Sequence, residues 1–194
     1  MVEPHQENQR EWQEKGMEYL RYEYPLGSSD IVVDLGSYQG EWAEMINNRY
    51  GCHVICVEPT AHINRLQSNG RFTIINKAGW IREEVRRFGG AYYYTSAHEP
   101  HNTFGYNDYE CFNINELLDR YDQIGLLKIN IEGDEYPVLN HIMPYIRRIK
   151  FLQVQFHIVN DNSESDWRSI VSQLRQTHEC MWCKKFVWES WKLK

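Results

Sequence analysis

"DIVVDLGSYQGEW", residues 30–42, decides how the rest of the chain is read. A short apolar run, Ile31 to Leu35, carries one acid, Asp34, and closes on Gly36. That form fits a strand buried on both faces of a parallel sheet. Residues 40–51 follow with Trp42, Met45 and Ile46 as apolar helical positions, and Gly51 supplies a C-terminal stop. Strand, glycine loop and helix make half of a βαβ unit, so the pattern should recur along the chain.

It does recur. "HVICVE" (53–58) reads as a second buried strand, a helix is expected from a Thr60 cap through Asn69, and "FTIIN" (72–76) is a third strand. "GLLKINIE" (125–132) is a fourth strand, "DEYPVLNHIM" (134–143) a helix with Pro137 in its first turn, and "IKFLQVQFHIV" (149–159) a fifth strand. A helix over 164–178 and a last strand or hairpin in 180–193 complete the chain. Residues 5–24 read as one helix ended by Pro25, and "INELLDRY" (114–121) as a short one. The expected fold is α/β: a doubly wound, mostly parallel sheet with helices on both faces. The rhythm breaks over 80–111, where Gly89-Gly90 suggests a hairpin inside an irregular insertion. The expected organisation is one domain: an N-terminal helical extension (1–29), a core (30–159) holding that insertion, and a C-terminal helix and strand (160–194).

Composition narrows the classes. The 194 residues are 42% hydrophobic and 25% charged, as in soluble globular chains. The net charge of −6 argues against a nucleic-acid partner. The absence of a long apolar run argues against a membrane span, and five cysteines without an apolar leader point to a reducing, cytoplasmic setting. Cys180-Met-Trp-Cys183 has metal-ligand spacing, but the sequence offers no second pair to close a zinc site.

Ligands of a doubly wound sheet bind at the carboxyl ends of its strands. Gly36 and Gly40 would let the first loop approach one closely. Glu58, 22 residues beyond Gly36, can accept hydrogen bonds from both hydroxyls of an adenosine ribose. A dinucleotide fits poorly, because Tyr38 and Glu41 stand where a pyrophosphate needs open backbone and positive potential. S-adenosylmethionine carries no phosphate, and Asp34 and Glu41 favour its cationic groups.

"VVDLGSYQGEW" followed by "VICVEP" resembles the class I methyltransferases with a Rossmann-like fold. "CFNINELL" (111–118) followed by "LLKINIEGDEYPVL" (126–139) narrows the resemblance to the FkbM-type family, over about residues 30–158. The resemblance implies S-adenosylmethionine-dependent O-methylation, often of sugars or natural products. It places Asp34, Gly36 and Gly40 at the methionine end, Glu58 at the ribose and Asn76 to Ala78 at the adenine edge, and Ser37 and Asn130 are further candidates to bind the cofactor. Two positions depart from the family pattern. Asn130 stands where Asp is usual, and Gln155 where Glu is frequent, which argues against a carboxylate-held divalent metal. The C-terminus looks short for the antiparallel pair that closes a full class I sheet.

Lys128, Asn130 and Glu132 alternate with Leu127, Ile129 and Ile131, so they are expected on one face of the fourth strand, beside the first. Methyl transfer needs a base and an aligned hydroxyl. Glu132 and His157 are the candidate bases, and Lys128 could hold the developing alkoxide. The structural alternative is that Lys128 and Glu132 pair with each other or with nearby helix ends. In the insertion, Tyr94 and Phe104 offer rings, and Ser96, His98, His101 and Asn102 polar groups, for a hydroxyl-rich acceptor. His98 and His101 as metal ligands is the weaker reading. Together these features point to an O-methyltransferase acting on a small-molecule or glycan acceptor, a carbohydrate or related polyol. The alternatives are methylation of an RNA ribose, and a non-catalytic cofactor-binding or scaffold protein.

Overall fold

The computed structural model describes residues 4–90, 96–98 and 105–194. Tyr94, His101, Asn102 and Phe104 lie outside them. Seven strands form the main sheet: β1 (Ile31–Leu35), β2 (His53–Val57), β3 (Phe72–Ile75), β7 (Ile124–Ile129), β8 (Ile149–Val154), β9 (His178–Lys184) and β10 (Trp188–Leu193). Their order is β3-β2-β1-β7-β8-β10-β9, so the direction of winding switches between β1 and β7. The first five are parallel, and β10 runs antiparallel to both β8 and β9. β1 and β7 are at the centre, with helices on both faces, and so are apolar on both.

Successive residues of these strands feed two cores. Val33, Leu35, Leu127, Ile129, Leu152 and Val154 pack against α4 (Glu135–Ile142) and α5 (Ser163–Thr177). Val32, Val54, Cys56, Leu126 and Phe151 pack against α2 (Glu41–Tyr50) and Tyr24. α2 starts at Gly40 and stops at Gly51, both in the left-handed region, and the Gly51 N–H donates to the Asn47 carbonyl. α1 (Pro4–Glu14) docks on the closing hairpin, where Trp12 meets Val187, Trp188 and Trp182.

Several sequence expectations change here. Residues 5–24 are not one helix: Gly16, at φ +59°, ends the first, and a 3-10 turn spans Met17–Tyr22. The helix expected from Thr60 is only a 3-10 turn, Ala61–Arg65, because the Thr60 hydroxyl donates to Glu58 and caps nothing. The insertion is a three-stranded sheet of β4 (Ala78–Trp80), β5 (Glu84–Gly89) and β6 (Tyr106–Asn113), in the order β4-β6-β5. Gly89-Gly90 is therefore no tight hairpin. Gly89 pairs with Tyr106 across a long connection and bridges to Ser96 within it. α3 (Ile114–Leu118) is capped by the Asn113 side chain, which accepts from the Asn115 N–H. The C-terminus is long enough after all: β9 and β10 supply both closing strands as one hairpin.

Candidate active site at the strand ends

A cleft of about 220 Å³ opens at the carboxyl ends of β1, β2 and β7. Its floor is set by contact between two chain segments. Gly36 has φ +77°, and a Cβ there would collide with the Asn130 carbonyl, standing 2.8 Å from its carbon. Gly36 and Ser37 donate their N–H groups to the Val57 carbonyl, and Asn130 donates its own to Leu35. The ends of the three strands are thereby laced together. Gly40 answers a different need, since a Cβ there would strike Leu66 and not a ligand.

Glu58 lines the cleft with both carboxylate oxygens engaged. Oε2 accepts from the Tyr38 N–H at 3.0 Å, and Oε1 from the Thr60 N–H and hydroxyl at 3.0 and 2.7 Å. Each oxygen keeps acceptor capacity beyond these bonds. Asn76 stands behind, donating to the carbonyls of Glu58 and Thr60, and Ala78 lines the wall with Gly79. Tyr38, at φ +48°, sets its ring 4.8 Å from the His62 ring in the same wall. A non-glycine residue held there signals a constraint at a site.

Lys128 does not face this cleft. Its ammonium lies 2.7 Å from Asp34 Oδ1 and donates to the Gly36 carbonyl, and both charged side chains are buried. Burial pushes the Asp34 carboxyl up, while the Lys128 ammonium holds it down. The pair sits on the α2 side of the sheet, one strand from Gln153, and Ser37 donates to the Asp34 carbonyl beneath the loop. Asp34, Ser37, Gly40, Asn76 and Lys128, expected at ligand or substrate, thus shape the loop that makes the cleft. The Lys128 ammonium is engaged by Asp34 and the Gly36 carbonyl and is not part of the cleft lining.

The strand alternation that placed Glu132 beside Lys128 ends at Ile129. Glu132 turns out at φ +54° and Gly133 follows at φ +110°. Glu135 makes that turn possible. Fully buried, it accepts from the N–H groups of Ile131 and Gly133 and lies 3.0 Å from His157 Nδ1. His157 Nε2 in turn lies 3.4 Å from Glu132 Oε2, so the imidazole is held between two carboxylates. Burial lowers the His157 pKa, but Glu135 and Glu132 outweigh it and raise it to about 9. Burial also raises Glu132 above the usual carboxylate range. His157 is therefore charged at neutral pH, and a charged imidazole has no lone pair to act as a base.

Asp134 also lines the cleft. Arg86 of β5 grips both its oxygens, at 3.2 Å on Oδ1, and His98 Nε2 lies 2.9 Å from Oδ1. Burial works against the carboxylate, yet His98 and Arg86 hold it below its usual range. Arg86 stacks 3.7 Å over Trp80, and Ser96 donates to the Glu132 carbonyl at 2.6 Å. Ser96 and His98, expected to meet an acceptor, fasten the insertion onto the Glu132–Asp134 turn. Sequence reasoning missed Tyr38, Thr60, His62, Phe88, Asp134 and Glu135. The signal available for Glu135 was an acid opening a helix directly after a buried strand.

Among the described residues, the cleft lining holds three carboxylates, Glu58, Glu132 and Asp134, and no Lys or Arg. Asn130 also lines it, and its Oδ1 is buried with no partner. Such a site suits a ligand that carries donors and positive charge. No group of three His, Cys, Asp or Glu side chains among the described residues is arranged to hold a metal ion, and no helix there is long and apolar enough to cross a membrane.

A mostly parallel seven-stranded sheet closed by an antiparallel hairpin, with its cleft at the β1 switch point, is the class I methyltransferase architecture. Solved structures agree on the fold. An rRNA methylase from Streptococcus thermophilus superimposes with a TM-score of 0.53 at 10% identity, covering 92% of this chain and 94% of that one. A dimethyladenosine transferase from Plasmodium falciparum gives 0.54 at 10% identity, covering 93% and 61%. The methyltransferase FkbM domain model matches residues 34–180, and the chain belongs to that family. It is an S-adenosylmethionine-dependent methyltransferase. No curated protein matches the sequence.

Proposed function

We propose that the cleft binds S-adenosylmethionine and that Glu132 is the base that prepares a hydroxyl of a carbohydrate or related polyol for methylation. The observation that carries this reading is Glu132 itself, a partly exposed carboxylate lining the cleft from a left-handed backbone position and backed by a charged imidazole. The cofactor supplies an electrophilic methyl group on a cationic sulfonium, and the carboxylate-bearing lining favours that charge.

Glu58 would hold the ribose hydroxyls with its remaining lone pairs, and the unpartnered Asn130 Oδ1 would accept from the ammonium of the methionine end. Ala78 and Gly79 leave a flat apolar wall for the adenine. Glu132 accepts the proton of the acceptor hydroxyl as the new bond to carbon forms. The His157 charge works against the burial that raises the Glu132 carboxyl, and Glu135 fixes the ring that does so. Phe88, at the cleft and edge-on to Tyr109 at 5.7 Å, offers a ring for the apolar face of a sugar beside Glu132.

Calorimetry with S-adenosylmethionine and S-adenosylhomocysteine tests the cofactor, and methyl transfer to a panel of sugars and polyols tests the acceptor. Binding of both nucleosides and turnover on a polyol are expected. Transfer to RNA with none to any polyol would overturn the acceptor, and binding without transfer to either would favour a scaffold.

A further inference from the structure

The two cysteines of Cys180-Met-Trp-Cys183 play no part in the cleft, and the fold brings them together. Residues three apart on a regular strand point to opposite faces of the sheet. β9 is not regular. Cys180 pairs with Trp191 and Cys183 with Glu189, and the register slips between Ser190 and Trp191. Trp191 and Glu189 are two apart on β10 and share a face, so the extra residue in β9 returns both cysteines to that face. β9 is the outermost strand of the sheet, and both cysteines are free and exposed, unlike Cys52, Cys56 and Cys111, which are buried.

We propose that Cys180 and Cys183 form a reversible redox pair. The two thiols lie in hydrogen-bond contact with each other on the exposed edge strand. The rival use of such a pair, a metal site, lacks its third ligand. Among the described residues no set of three His, Cys, Asp or Glu side chains is arranged for an ion.

The co-reactant is a small disulfide of the glutathione class. The thiolate of one cysteine attacks one of its sulfurs, the S–S bond breaks, and one glutathione leaves as its thiolate. The other cysteine gives its proton to solvent and attacks the sulfur of the mixed disulfide on the first, expelling the second glutathione thiolate. The protein loses two hydrogens and two electrons, and the small disulfide gains the electrons as two thiols.

The test is intact mass and peptide mapping of the whole protein after incubation with glutathione disulfide. The wild type should end lighter by two hydrogens, without adduct, with the bond inside the single peptide that holds both cysteines. Cys183→Ser should accumulate one glutathionyl adduct on Cys180. Cys180→Ser should accumulate one glutathionyl adduct on Cys183, as neither single thiol can resolve it. The wild-type measurement needs no variant and stands if either variant fails to fold. A wild type that carries adducts, remains fully reduced, or bonds either cysteine elsewhere would overturn the pair.

Discussion

Two residues concentrate the chemistry and strain of the cleft. Gly36 is fixed by protein atoms, because the Asn130 carbonyl occupies the space of any side chain and φ is +77°. Gly36→Ala should therefore lower stability by on the order of 4 kcal/mol or more, read from the denaturation midpoint, because the loop and the end of β7 must separate. A midpoint close to wild type would mean that this contact is loose in solution. Glu132 carries the proposed proton transfer. Glu132→Gln should lower turnover by roughly 10²–10⁴-fold, the usual worth of a positioned base. Cofactor affinity measured by calorimetry should change by less than about 1 kcal/mol, since Glu58 and the Gly36 loop remain. Turnover unchanged in that variant would move the base elsewhere. The sequence showed both residues, and the structure adds the Asn130 carbonyl as a neighbour of Gly36, which also lines the cleft. A glycine at a strand end reports that something comes close and is silent about whether that is ligand or chain.

Among the elements, the small sheet β4-β6-β5 is what the periodicity concealed. β6 is exposed over Tyr106–Asp108 and buried only near its end, at Cys111 and Phe112, so it gives no clean alternation to read. Its attachment is chemical: Arg86 and His98 on Asp134, and Ser96 on the Glu132 carbonyl. Arg86→Ala removes a two-point grip on a buried carboxylate and the stack on Trp80. The loss should be about 3 kcal/mol of stability, because Asp134 is left buried with His98 alone. Turnover should fall further than cofactor binding, as the turn carrying Glu132 loosens while Glu58 keeps its partners. Stability unaltered in urea would show that the insertion is held by other contacts. The closing hairpin has the opposite history. "CMWCKKFVWESWKL" was legible as a strand or hairpin, and tertiary pairing with β8 made it both closing strands.

For the molecule as a whole, the half-buried His157 ties global stability to pH. Its pKa is about 9 in the fold, raised by Glu135 of α4 and Glu132 of the preceding turn, against about 6.5 for an unfolded chain. A raised pKa means that the folded state binds the proton more tightly. The stabilisation is complete below about pH 6.5 and is lost as pH rises through about 9. The unfolding free energy should fall across that window by on the order of 2–3 kcal/mol, and His157→Gln should flatten the dependence there. A wild-type profile already flat between those values would show that the imidazole is neutral in the fold. Glu189 pushes the same way at lower pH. Burial against Trp167 and Trp191, outweighing their two hydrogen bonds, raises its carboxyl to about 7, so its share is lost as pH climbs through neutrality.

The sequence by itself determined the alternation of strands and helices, and with it the place of the Gly36 loop, Glu58 and Glu132 at or just beyond strand ends, where the cleft opens. These rest on periods of two and of 3.6 and on glycine stops, which are local properties of the chain. It also determined the family, through two motifs that the fold brings side by side on β1 and β7. Only the tertiary structure decided what the polar groups of those strands are for. Lys128 and Asp34 are nearly a hundred positions apart, and nothing local tells a buried lysine whether its partner is a substrate or an acid on the next strand. Glu135 and His157 are likewise joined only when β8 is laid beside β7. A buried charge must be paired, so the need for partners was readable from composition, while their identity depended on strand order and register.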